Sequence, residues 1–430
     1  VYGIEQNELP LVQMSLVIKG GHYLDKIDNN GVANLMTDIM QEGTANKTPE
    51  ELEEAIELLG ATIRMYTSDE AITITANCLA RNFDATLKLM EEMLLEPRWD
   101  EEELELIKTR TVNSIKRSSA RPNVVAGQVY KKLLYGTDHI YGHPISGKAE
   151  EVEAITMEDL KAFYEANYSP SVSSFHVVGA VSQENALKSL DRLNKKWANK
   201  PVEVPQYALP EQGQTADLYF VDFENAKQSV INIGYLSMAR TDADYYPATV
   251  MNYKLGGSFS GNVNLILREE KGYTYGARTY FSGSTIPGPF TASSSVRTNS
   301  TYESVKIFKE EMETYSDKVS EEDLAFTKNA LIKSNARNFE TLGSLLGMLQ
   351  NRSMYGFEAD YIKKQEDVIR QMSLEELKAL ATKYVDPARM KYVVAGDAAT
   401  QYEALKNAGF DSVQLVDKEG NEVPYTKVED

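Results

Sequence analysis

An arginine and a tyrosine seven residues apart, Arg268 and Tyr275, lie in the stretch LILREEKGYTYGARTYF that spans 265–281. A guanidinium and a phenol both donate hydrogen bonds, and two such donors aimed at one carbonyl oxygen stabilise it as it gains negative charge. The pair also has a structural reading: an arginine in a last helical turn is favoured by the helix dipole, and tyrosines are common in half-buried strands. Other candidates are weaker. His139 and His143 have a metal-binding spacing for a helix, but Gly136, Gly142 and Pro144 put them in a loop without an acidic or cysteine partner. His22 and His176 are isolated and read as structural. Cys78 is the single cysteine and reads as a small apolar strand residue. GGSFSG at 256–261 lacks the preceding strand and the Lys-Ser/Thr ending of a phosphate loop, so it reads as a glycine-permitted bend.

Bringing Arg268 to Tyr275 requires a helix that ends between them. An apolar helix is predicted to run from Asn252 and to stop at Gly272, because glycine takes the left-handed conformation that follows many helices. A strand then begins at Tyr273. Strict alternation puts Tyr273, Tyr275, Ala277, Thr279 and Phe281 on one face, and Thr274, Gly276, Arg278 and Tyr280 on the other. Near the N-terminus, Val12, Met14, Leu16 and Ile18 alternate as a strand, GVANLMTDIMQEG reads as a helix, and Thr48, Pro49 and Glu51 open a further helix through a capping box. Two strands across GATIRMYTSDEAITITANCLA and two more helices follow, the second capped by Asp100. This order predicts an α+β fold.

The chain repeats itself. TMEDLKAFYEANYSPSVSSFHVVGA at 156–180 aligns without a gap on SLEELKALATKYVDPARMKYVVAGD at 373–397, pairing Leu160 with Leu377, Pro170 with Pro387 and Gly179 with Gly396. Both copies read as a capped helix, a proline turn and a strand ending in glycine, so two similar tandem domains are expected, at 1–200 and 214–430. Residues 201–213, with Pro201, Pro205 and Pro210, form the predicted linker. Each domain is expected to be an antiparallel-rich sheet packed with helices.

The totals narrow the function. Of the 430 residues, 42% are hydrophobic and 25% charged, ordinary values for a globular chain. No run of ~18 apolar residues occurs, which gives no membrane span. The net charge of −19 argues against nucleic acid, whose phosphates would be repelled. A start on a strand is the pattern expected if further residues precede Val1.

Two such domains with an Arg and a Tyr seven apart in GNVNLILREEKGYTYGA resemble the pitrilysin/insulysin family of zinc metallopeptidases. The resemblance implies bowl-like halves around a chamber, one half bearing an inverted zinc motif, His-x-x-Glu-His, and the other an Arg and Tyr that reach the substrate carbonyl. Here GVANLMTDIMQEGT lines up with the zinc helix through Gly31, Ala33, Gly43 and Thr44. At the two histidine places stand Asn34 and Asp38, at the glutamate place Thr37, and near the distant glutamate Asn113 and Ser114. Asparagine and threonine supply neither the imidazole ligands nor the general base. The chain is therefore expected to bind no metal or other cofactor itself. The resemblance implies a partner, a separate or fused zinc-bearing half, with peptides as substrates and no cleavage by this chain alone. A catalytically dead scaffold or peptide-binding member is the alternative. By analogy with periplasmic and organellar members, export stands ahead of a cytoplasmic location.

Overall fold

The computed structural model describes residues 1–211 and 213–425. Two mixed sheets, each covered by helices, give an α+β architecture. The first sheet contains β1 (Tyr2–Glu5), β2 (Leu11–Lys19), β3 (Thr62–Thr67), β4 (Ala71–Leu79) and β5 (Ser173–Gly179) in the order β1-β5-β2-β4-β3. The second contains β6 (Asp217–Asp222), β7 (Gln228–Met238), β8 (Thr274–Phe281), β9 (Gly288–Arg297), β10 (Lys391–Gly396) and β11 (Ser412–Val416) in the order β11-β6-β10-β7-β9-β8. With β11 set aside, the two orders are the same, strand for strand. In each sheet the parallel pairing is confined to one side, β1 with β5 and β6 with both β10 and β11, and the remaining pairs are antiparallel.

The repeated segment shows how local chemistry builds the same element twice. Thr156 and Asp159 form a capping box at the start of the helix Met157–Asn167, and Ser373 and Glu376 do so for Leu374–Tyr384. Each side chain satisfies a backbone donor that the helix start leaves without an internal partner. A short turn at Pro170–Val172 or Pro387–Arg389 then leads into the buried strand β5 or β10. Gly179, at φ +137°, ends β5 where a Cβ would fall 2.1 Å from the Leu11 carbonyl oxygen.

The chain divides into two compact units, and neither is one continuous half of the sequence. One comprises Val1–Lys116, His143–Tyr207 and Ala336–Ala359; the other comprises Arg117–Gly142, Ala208–Asn335 and Asp360–Asp430. The first unit thus takes the helix Leu342–Tyr355 from late in the chain, and the second takes Pro122–Tyr135 from early in it. Leu345, Leu346 and Leu349 pack on Val178 of β5. His176 of the same strand sits fully buried between Ser15, 3.2 Å from its Nδ1, and Ser353, 2.7 Å from its Nε2. Burial holds its imidazole down at about 4, so the ring is neutral and structural at ordinary pH. In the second unit, Tyr130 crosses the sheet and donates to the Phe290 carbonyl at 3.2 Å. Gly234 makes that crossing feasible, since a Cβ there would lie 2.2 Å from the Tyr130 hydroxyl.

Candidate functional site

Arg268 and Tyr275 flank a helix-to-strand junction in the second unit, but the helix leading to it is not continuous. Tyr245–Asn252 is α-helical, Tyr253–Gly257 widens into a π-turn, Ser258–Gly261 breaks away, and Asn262–Glu270 resumes with a second π-turn over Leu265–Glu270. The continuous helix expected from Asn252 is thereby corrected. The bend at GGSFSG is a close-approach turn: a Cβ on Gly256 would meet Thr279 Oγ1 at 2.6 Å and its backbone nitrogen at 2.7 Å. Gly272 ends the helix at φ +64°, and the Tyr273 N–H returns to the Leu267 carbonyl at 2.8 Å, one residue further back than in the usual left-handed helix stop because the preceding turn is widened.

Two asparagines lock this broken helix to β8. The Asn252 amide donates to the Thr279 carbonyl at 2.8 Å and its oxygen accepts from the Thr279 hydroxyl at 2.6 Å. Asn264 accepts from the Ala277 N–H at 3.0 Å and donates to the Phe259 carbonyl at 2.7 Å. Both are almost fully buried. With their polar atoms paired, they fix the helix against the outer edge of β8 instead of leaving that edge open.

The face assignment for Tyr275 also needs correction. Ala277 and Thr279 are buried, yet Tyr275, of the same parity, is 90% exposed. The cause is a bulge: Thr274 pairs with Val296 and Ala277 with Ser294, so three steps on β8 match two on β9. The extra residue breaks the alternation and turns the phenol outward. Thr274 holds the bulge, its hydroxyl oxygen accepting from the Gly276 N–H at 3.0 Å while the hydroxyl donates to the Ser295 carbonyl at 2.7 Å. Arg268 lies with its guanidinium carbon 4.4 Å from the centre of the Phe259 ring. Its Nη1 is buried without a hydrogen-bond partner, although Glu269 Oε1 stands 3.4 Å away as an ion pair. Phe259, itself 67% exposed, and Thr274 were not singled out by the sequence reading. The available signals were an aromatic residue inside a glycine-rich bend and a threonine two residues before a glycine.

Asn34, Thr37 and Asp38 all lie on the helix Val32–Ile39 of the first unit. Its first turn is held by the buried Asp25 carboxylate, which accepts from the Gly31 and Ala33 N–H groups at 3.0 and 2.8 Å. His22 Nδ1 approaches the same carboxylate at 3.3 Å. Thr37 donates to the Asn34 carbonyl at 2.9 Å and meets the Thr67 hydroxyl at 3.2 Å. Asp38 faces a cleft shared with Gln41, Glu42, Arg64 and Arg110. Burial pushes its carboxyl up to about 6, with Arg110 pulling down and Glu42 adding a smaller push upward. Gln41 bonds both backbone groups of Met65 on β3, at 3.1 and 3.2 Å, filling the place of a further strand. Among the described residues, no group of three or more His, Cys, Asp or Glu side chains is arranged to hold a metal ion. The residues at the helix do not fit zinc: Asn34 and Thr37 offer only neutral oxygens, and Asp38 supplies one carboxyl, whose charged form burial disfavours.

Residues 3–139 match the model of insulinase, peptidase family M16, and residues 154–331 match that of the peptidase M16 inactive domain. The chain belongs to the M16 peptidase family. Among similar proteins, an uncharacterized zinc protease of Streptomyces coelicolor is 21% identical over 333 residues, covering 76% of this chain and 69% of that protein. A protein of Helicobacter pylori described as a non-peptidase homolog is 21% identical over 376 residues, covering 87% and 86%. The fold is shared with the crystal structure of a peptidase M16 inactive domain from Pseudomonas fluorescens, with a TM-score of 0.85 and 24% identity, covering 93% of this chain and 96% of that one.

Proposed function

We propose that this chain is the non-metal half of an M16 peptidase, working with a zinc-bearing half that is either a separate subunit or a fused portion. Peptides are the substrates, and cleavage requires both halves. Arg268 and Tyr275 donate hydrogen bonds to the scissile carbonyl oxygen as it becomes anionic. The metal chemistry belongs to the partner half. The observation that carries this reading is a phenol that is 90% exposed on a bulge at the same junction as a guanidinium that rests on the Phe259 ring and is paired with its exposed chain neighbour Glu269. A phenol kept out of the sheet gains nothing from burial, whereas a forming oxyanion is an acceptor that both groups fit.

The test is peptidase activity on a quenched peptide library, for this chain alone and mixed with a zinc-bearing M16 half. Activity is expected only in the mixture. Arg268→Ala or Tyr275→Phe should each lower turnover by ~10²–10³. Activity that ignores both substitutions would remove the donor assignment. A second reading, a non-catalytic scaffold or peptide-binding member, draws support from Asn34, Thr37 and Asp38 and from the Helicobacter pylori relative described as a non-peptidase homolog. No cleavage in any mixture would favour it.

A further inference from the structure

Beside Tyr275, the second unit carries a cleft of ≈ 770 Å³, within the range that takes small ligands or a few peptide side chains. Its floor is the outward face of β7, β9 and β8. Asn232 pairs with Ser293, and Ser293 with Arg278, so an amide, a hydroxyl and a guanidinium form one row across three strands. Ser295 and Gln228 lie further along the same face, and no lining residue is acidic. In a chain with 64 acidic against 45 basic residues, this is a local reversal of charge. Arg278 is exposed and has no ion-pair partner among the described residues; its guanidinium carbon lies 5.2 Å from the Tyr280 ring centre.

The lining also includes Gly127, in the interior of the helix Pro122–Tyr135. A glycine there costs roughly 0.5–1 kcal/mol relative to alanine. No packing requires it, since a Cβ on Gly127 would find nothing within 4 Å. Its effect is to leave the cleft wide. An uncharged polar floor with one unpaired arginine fits a single carboxylate, which can take a two-pronged hydrogen bond from the guanidinium and further bonds from the amides and hydroxyls.

We infer that this cleft is a specificity subsite for a carboxylate of the bound peptide, read by Arg278 with Asn232 and Ser293. The assignment rests on the reading of this chain as a peptide-handling half and names the feature of the peptide that it selects. The test uses the chain alone and measures anisotropy of labelled twelve-residue peptides, capped at both ends and containing one Glu, Gln or Lys in a Gly/Ser/Ala background. A neutral peptide with a free C-terminus completes the set. The Glu peptide is expected to bind about tenfold tighter than the Gln peptide, the increment of one charge-assisted pair. Arg278→Gln should erase that difference, Arg278→Glu should turn the preference to Lys, and Gly127→Phe should weaken every peptide by filling the cleft. A preference carried by the free C-terminus instead of Glu identifies the carboxylate as terminal and still supports the subsite. Glu and Gln peptides within about twofold of each other, a ratio that survives Arg278→Gln, or no binding of any peptide would overturn it. Cleavage by the mixture is a separate readout: its absence beside an intact Glu preference counts against the catalytic role and leaves the subsite standing.

Discussion

Asp38 shows how a single side chain reports on its surroundings. The resemblance to the zinc helix leads one to expect a metal ligand at its position, but burial has made it a carboxyl that keeps its proton up to about pH 6. The folded chain thus holds a proton that the unfolded chain, with an ordinary carboxyl near 3.8, has already lost. Stability from this group is present in full below that lower value, falls as pH climbs through 6, and levels off above. Asp38→Asn removes the penalty. The variant should be more stable at pH 8 by at most about 3 kcal/mol, two pKa units at ~1.4 each, and by roughly half that at pH 5. Urea unfolding at the two pH values checks this, and a variant less stable at pH 8 would show the carboxylate to be doing structural work. The type and spacing of Arg268 and Tyr275 were legible in the sequence. The exposure of the phenol was not, because it depends on the register with β9, some twenty residues further along the chain.

At the scale of the element, the decisive feature is the bulge in β8. Thr274 holds it through bonds to Gly276 and Ser295, and receives a further one from the Ser294 hydroxyl at 3.0 Å. Thr274→Val keeps the shape and removes those bonds. It should cost about 1–2 kcal/mol in stability. It should also lower the activity of the mixed halves by at least about tenfold with both donors intact, since a small displacement of a catalytic group is expensive. Thr274→Ser should restore activity, and full activity in Thr274→Val would mean that the bulge does not position the phenol. The sequence pattern predicted a strand here and missed the extra residue, because a bulge is set by the register with β9 and leaves hydrophobic alternation nearly unchanged. The capping boxes at Thr48, Thr156 and Ser373 were readable because each involves side chain and backbone three residues apart.

For the whole molecule, the exchange of helices carries the main consequence. A first half cut at about residue 200 lacks Leu342–Tyr355, leaving Val178 and the His176 ring without their covering helix. A second half starting at about residue 214 lacks Pro122–Tyr135 and the Tyr130 bonds to Phe290. Expressed separately, each half should show exposed apolar surface and a broadened unfolding transition, while co-expressed halves should co-purify as one species. Size exclusion and circular dichroism decide, and two independently folded, non-associating halves would contradict it. Sequence alone determined the duplicated fold, the helix starts, the Arg/Tyr spacing and the lack of histidine in Val32–Ile39. These follow from residue identity and from hydrogen bonds within a few positions. Only the tertiary structure decided which helix covers which sheet, that Tyr275 leaves the buried face, and that Gly127 and Arg278, separated by some 150 residues, border one cleft. Those outcomes depend on long-range burial and strand register, where the free energy of each contact is set by a partner that no local pattern names.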